Sequence, residues 1–132
     1  MKKIFEDEIF DKLDPTGNFA NEYSNCTFKN CDFSNVIFDS AEFIDCQFLS
    51  CNLTMAKFVN ATLSRVKFDS SKLFGVDFSK CSKFLFSVSF ENSILNYSLF
   101  SRNDLKNTIF KNCKLSEVSF IETNLTSAKF IN

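Results

Sequence analysis

The chain has 132 residues, no His or Trp, and 15 Lys plus Arg against 16 Asp plus Glu, a formal net charge of −1. That length fits one domain. The missing His removes Ser–His and Cys–His catalytic pairs, and near-neutrality removes a simple polyanion-binding role. Of the residues, 19 are Phe but only 2 are Gly and 1 is Pro, so the turns are expected to be common types that tolerate Asn, Ser, Asp and Lys.

The segment Met1-Lys2-Lys3-Ile4-Phe5-Glu6-Asp7-Glu8 runs from a basic pair straight into acids. No apolar run of signal-peptide length comes after it and nothing approaches a membrane span, so the expected compartment is the cytoplasm and no membrane partner is expected. Ile4, Phe5, Ile9, Phe10, Leu13, Phe19 and Tyr23 are apolar, with Asp14-Pro15-Thr16-Gly17 as a turn signal. Residues 1–25 read as an N-terminal cap on the remainder of the chain. A short amphipathic helix over 4–13 is the alternative, and its spacing fits poorly.

From Cys26 onward a five-residue beat sets in: small, polar, Phe or Leu, polar, polar, as in Cys31-Asp32-Phe33-Ser34-Asn35 and Ala56-Lys57-Phe58-Val59-Asn60. Five is the period of neither a helix nor a strand, so one short unit repeats and the chain is a solenoid. Regular units fill 26–80 and 88–132, separated by Cys81-Ser82-Lys83-Phe84-Leu85-Phe86-Ser87. Continuing the beat would bury Lys83, which is costly for an unpaired charge. Ser82–Phe86 is therefore read as one unit centred on Phe84, with a single-residue bulge on each side. Every second central residue is then Phe: Phe28, Phe38, Phe48, Phe58, Phe68, Phe78, Phe90, Phe100, Phe110, Phe120 and Phe130. The intervening series is mostly Leu.

This consensus resembles the pentapeptide repeat proteins, over residues 26–132. The resemblance implies an all-β fold, a right-handed quadrilateral parallel β-helix with four units per turn, here about five coils stacked roughly 4.8 Å apart. Phe-Asp-Lys-Leu-Asp at 10–14 is similar to the lead-in strand of some members. On a square coil the all-Phe series forms two facing walls. Characterised members protect DNA gyrase and topoisomerase IV from quinolones as dimeric rods that imitate duplex DNA. The resemblance thus implies a non-enzymatic, protein-binding rod, a DNA-mimicking modulator or protector of a type II topoisomerase, with no direct nucleic-acid contact. This chain departs from those members in being shorter and nearly neutral, with Lys57, Lys67, Lys72, Lys83, Lys114 and Lys129 interrupting any acidic stripe.

The repeat runs to Asn132, so Leu125 and Phe130 are expected on an uncovered last coil. Open edges of this kind pair with something, which points to a homodimer joined through the C-terminal coils; the alternative is an end that frays. Outward positions give one apolar group, Met55, Phe74, Ile94 and Tyr97 on the Leu53/Leu73/Leu95 face. Leu85 and Phe86 are expected to protrude around the corner and extend it into a partner surface. A scaffold binding an unrelated protein there is the alternative function.

No metal or cofactor is expected. Five-residue Cys spacing lacks the knuckle of a zinc site, and Gly17 and Gly75 are isolated, so there is no phosphate loop. Side chains one coil apart miss the ~3.8 Å Cβ separation of a disulfide. Cys26, Cys31, Cys46, Cys51 and Cys113 fall at the small inward position and should pack as reduced thiols, while Cys81, at a bulge, is expected to be the reactive one. Asp32, Asp39, Glu42 and Asp45 read as turn residues. Asn103 is an odd inward residue, expected to bond a neighbouring coil's backbone.

Overall fold

The computed structural model describes residues 2–132. Eleven short strands occur in chain order: β1 (Ile4–Glu6), β2 (Ile9–Asp11), β3 (Glu22–Ser24), β4 (Thr27–Lys29), β5 (Glu42–Ile44) and β6 (Gln47–Leu49). Then come β7 (Thr62–Ser64), β8 (Val66–Asp69), β9 (Val88–Glu91), β10 (Ile109–Lys111) and β11 (Lys129–Ile131). All pairing is parallel, and partners lie one coil apart: Phe28 opposite Phe48, Phe48 opposite Phe68, Phe68 opposite Phe90. One sheet has seven strands, β2-β4-β6-β8-β9-β10-β11, and another four, β1-β3-β5-β7. Two further faces are held by isolated bridges, such as Asn52 to Lys72 and Ile37 to Lys57. The four faces take their names from the central residues of the first full coil: Phe28, Phe33, Phe38 and Phe43.

Seven strands on the Phe28 face mean six coil-to-coil steps, not the five coils expected. The extra layer comes from the N-terminal segment. β1 and β2 pair with β3 and β4, which places Phe5 against Tyr23 and Phe10 against Phe28, with ring centroids 5.4 and 5.1 Å apart. These strands cover two faces. Phe19 plugs the other two, packing on Phe33 and Phe38 at 5.3 and 5.5 Å.

Inside, the central residues stack as columns. On the Phe28 face, successive rings from Phe10 to Phe130 lie 4.8–5.3 Å apart and nearly parallel. Rings of neighbouring columns meet edge to face, as Phe28 does with Phe33 and Phe43. Both geometries suit the ring quadrupole, positive at the edge and negative on the face. Amide N–H groups donate to the coil beside them, for example Lys67 N to Cys46 O at 3.0 Å.

Two expectations about the turns are corrected. The residue two after each centre has positive φ almost throughout, including Met55, Arg65, Tyr97 and Arg102. The corners therefore do use a special backbone conformation, and they use it without Gly except at Gly75. Asn and Asp reach that region at low cost, whereas bulky residues are strained in it. The second correction concerns the interrupted unit. Phe84 is 71% exposed and Phe86 only 9%, so Phe86, not Phe84, is the inward residue. With Phe86 inside, Ser82 N still donates to Ala61 O (2.8 Å) and Ser87 N to Leu63 O (2.9 Å). Residues 83–85 then leave as a single loop rather than as two separated bulges. Phe86 consequently does not protrude as part of a partner surface.

A sharp contrast tests this interior. Phe48→Ala should lower unfolding free energy by about 3–5 kcal/mol, and Phe84→Ala by less than about 0.5 kcal/mol, as read from urea titrations. Equal losses would contradict the assignment.

Candidate functional site

The sequence-expected partner surface is assembled in part. Phe74 follows the inward Leu73 and points outward, and Tyr97 stands one coil on at the corner of the Phe33 and Phe38 faces. Their rings lie 5.1 Å apart, tilted by 54°, yet Phe74 is 40% and Tyr97 54% exposed. Met55 joins them at the same corner and is also exposed, while Ile94 is half-buried. Gly75 makes this arrangement possible. A Cβ at that position would lie 2.4 Å from Met55 Sδ, and its φ of +71° suits glycine.

Leu85 is exposed too, but its loop leaves the Phe43 face, opposite the Phe33 face that carries Phe74. The structure therefore does not bring Leu85 and the Phe74 group into one patch. Phe84 takes the place expected of Phe86 as the protruding aromatic of that loop. The spacing of six from Phe84 to both Phe78 and Phe90 favours the wrong one of these two Phe residues.

At the C-terminal end Leu125 is half-buried and Phe130 51% exposed. β11 is paired with β10 on one side only, and Ile131 is exposed beside it.

The cysteines are structural. Cys46 and Cys51 aim Sγ at the carbonyls of Tyr23 and Phe28, 3.3 and 3.2 Å away, one coil back. Ser71, Ser98 and Thr123 donate from the same inward position to Phe48, Leu73 and Phe100 carbonyls. Asn103 does likewise, Nδ2 donating to Phe78 O at 3.1 Å, as expected, although its Oδ1 is left without a partner. A small residue with a weak donor both fills this column and bonds a central-residue carbonyl. Cys81, expected to be reactive, is instead buried, and burial pushes its thiol up to about 12. Burial likewise raises Cys46 to about 11 and Cys51 to about 12. A thiol so raised is almost entirely protonated at neutral pH and a poor nucleophile.

Charge is mixed rather than uniform. Near the N-terminal end Glu22 lies in register with Glu42, and the hydrogen bond and repulsion between the two carboxyls raise Glu22 above its usual range. Glu6, Asp7 and Glu8 are exposed close by. Against them stand Lys2, 3.6 Å from Glu42, and Arg65, paired with Asp45. On the Phe28 face Lys67 and Lys111 flank Glu91 at 3.0 and 3.8 Å. Among the described residues no cluster of three metal-ligating side chains occurs, and no helix is long and apolar enough to cross a membrane.

A family model described as a pentapeptide repeat region matches residues 22–84, and one described as pentapeptide repeats matches 85–120 and 110–132. No curated protein matches the chain. Among solved structures, full-length QnrB1, a plasmid-mediated fluoroquinolone resistance protein, is 16% identical, with 97% of this chain and 93% of that one covered and a TM-score of 0.48. HetL, a pentapeptide repeat protein involved in heterocyst differentiation regulation from the cyanobacterium Nostoc sp. strain PCC 7120, is 11% identical (89% and 60% covered, TM-score 0.35). Rfr23, a pentapeptide repeat protein from the cyanobacterium Cyanothece 51142, is 14% identical (98% and 81% covered, TM-score 0.29).

Thiol titration at pH 7 checks the cysteine assignment. Native protein should expose no fast-reacting thiol; Cys113, only half-buried but also raised by burial, should react ahead of the others. Denatured protein should expose all 6. Fast labelling of Cys81 would show that its loop opens.

Proposed function

Because the chain belongs to the pentapeptide repeat family, whose models together match residues 22–132, we propose that it is a non-enzymatic rod that docks a protein partner on the Met55, Phe74 and Tyr97 corner. The observation that carries this reading is the pair of exposed rings on Phe74 and Tyr97. Met55 and Tyr97 have φ of +57° and +64°, in a column where Asn occurs at position 35. Bulky residues held in that conformation cost of order 1–2 kcal/mol each. Strain of this kind is found at surfaces that do something with the side chain. Exposed aromatics beside Met are the residue types that anchor protein interfaces. Affinity capture from the native cell extract tests it: Phe74→Asp should abolish the specific partner while leaving the thermal midpoint unchanged. A partner retained by that variant rejects the corner as the docking site.

A second reading, modulation of a type II topoisomerase by duplex imitation, is favoured by the acidic end formed by Glu6, Asp7, Glu22 and Glu42. It is opposed by the lysines on the Phe28 face. Gyrase supercoiling with and without ciprofloxacin separates the two. Protection that is lost on Glu22→Lys with Glu42→Lys supports imitation; no effect at micromolar protein rejects it and leaves the aromatic corner untouched.

We place a second copy of the chain on the C-terminal end, where Phe130 and the free edge of β11 would be covered. Open strand edges are templates for further pairing. Light scattering at micromolar concentration should give a dimer that Phe130→Asp converts to monomer. A monomeric wild-type mass overturns this assembly.

A further inference from the structure

On the Phe38 face the stacking of coils is broken at one place. The coils there are bridged from Ile37 to Lys57, from Asp77 to Leu99 and from Leu99 to Ser119, but Lys57 and Asp77 are not bridged. Phe38 N donates to Lys57 O at 2.7 Å and Phe78 N to Leu99 O at 2.8 Å, while the corresponding bond from Phe58 N to Asp77 O is not made. The rings inside follow. Phe58 and Phe78 are 6.1 Å apart, whereas Phe38–Phe58 and Phe78–Phe100 are 5.0 and 4.8 Å apart. The chain here departs from the other corners: a 3-10 turn, Phe78–Lys80, capped by the Asp77 carboxylate on the Ser79 N–H and hydroxyl, leads directly into the 83–85 loop.

The two coils therefore part and leave an open cavity of about 410 Å³. Its walls are Met55, Val59 and Gly75 over the buried Ala56 and Phe58, and its rim carries Lys57, Lys80 and Asp77. Met55 can form a wall because Gly75 has no Cβ beneath its sulfur. Neither lysine makes an ion pair among the described residues, and the Asp77 carboxylate is already occupied by Ser79. The groove is apolar below, and its mouth carries two ammonium groups against the single Asp77 carboxylate, a net positive charge. Its size lies within the range of small-molecule sites, roughly 300–1,000 Å³.

We infer that this inter-coil groove is a binding site for a small apolar molecule carrying one acidic group, its hydrocarbon or aromatic body between Met55, Val59 and Gly75 and its anion between Lys57 and Lys80. The apolar walls supply contact area that depends little on the ligand's identity. The two ammonium groups supply the preference for an anion, and that preference weakens as salt rises because both are exposed. The site shares Met55 with the aromatic corner but not Phe74 or Tyr97, which do not line it.

The probe is 1-anilinonaphthalene-8-sulfonate, followed by its fluorescence and by backbone amide shifts. Saturable binding is expected, with shifts confined to residues 55–59 and 75–80. The uncharged N-phenyl-1-naphthylamine should bind about tenfold more weakly. Lys57→Glu with Lys80→Glu should weaken the sulfonate about tenfold and leave the uncharged probe unaffected. Val59→Trp, which fills the groove from a half-exposed position, should remove both. Phe74→Asp and Lys114→Glu should change neither. Absence of saturable binding overturns the inference, as does binding that survives Val59→Trp in a folded protein. Shifts centred on 109–131 instead would also overturn it, by moving the site to the open end.

Discussion

Everything in this molecule depends on aromatic and aliphatic side chains stacking on their counterparts one coil away, at the spacing the backbone ladder sets. Parallel ladders hold strands about 4.8 Å apart, and the near-parallel rings sit 4.8–5.6 Å apart wherever the ladder is whole. Neither interaction survives alone. Three-residue strands are too short to persist without their neighbours, and an unladdered backbone would bury unpaired amides. The inward donors on Cys46, Cys51, Ser71 and Ser98 tie the two together, because they bond carbonyls of the residues whose side chains stack.

A coil built in this way spends its chemistry on the inside and leaves the outside to vary. Each unit contributes outward positions that no packing rule constrains, and their side chains set what the rod touches. The corner column is the exception. Its left-handed backbone favours Asn, Asp, Ser or Gly, and the chain obeys at Asn25, Asn30, Asn60 and Asn112. It disobeys at Arg65, Arg102, Glu117 and Glu122, and at Met55 and Tyr97, whose side chains stand beside the exposed ring of Phe74. Such departures from local preference occur where function competes with stability.

The fold is legible in the sequence because its period of five matches no other structure and because Phe recurs at every second unit. Those two facts turn the Phe series inward, and the four-sided coil that the family resemblance implies sets it as two facing walls, at Phe28 and Phe38. The N-terminal layer is harder to read: Phe5 and Phe10 are five apart, but the turn at 14–17 breaks the beat between them and Tyr23. The interrupted unit misleads for a different reason. Phe84 sits six residues from both Phe78 and Phe90, a symmetry that makes it the natural centre, whereas ladder bonds at Ser82 and Ser87 bring Phe86 inside. Cys81 misleads along with it, since the loop begins after Cys81 and leaves it in the inward column. Met55, Phe74 and Tyr97 are recognisable as outward and apolar. The groove beside them is not, because it arises from one missing bridge between coils, and its only trace in the sequence is a glycine next to a bulky residue one coil away.

The most direct test is nuclear Overhauser contact between phenyl rings in protein labelled at Phe. The Phe48 ring should show contacts to Phe28 and Phe68, each twenty residues distant, and the Phe86 ring should show core contacts that Phe84 lacks. Contacts of Phe48 limited to residues near it in sequence, or a Phe84 ring in the core, would contradict the stacked coil described here.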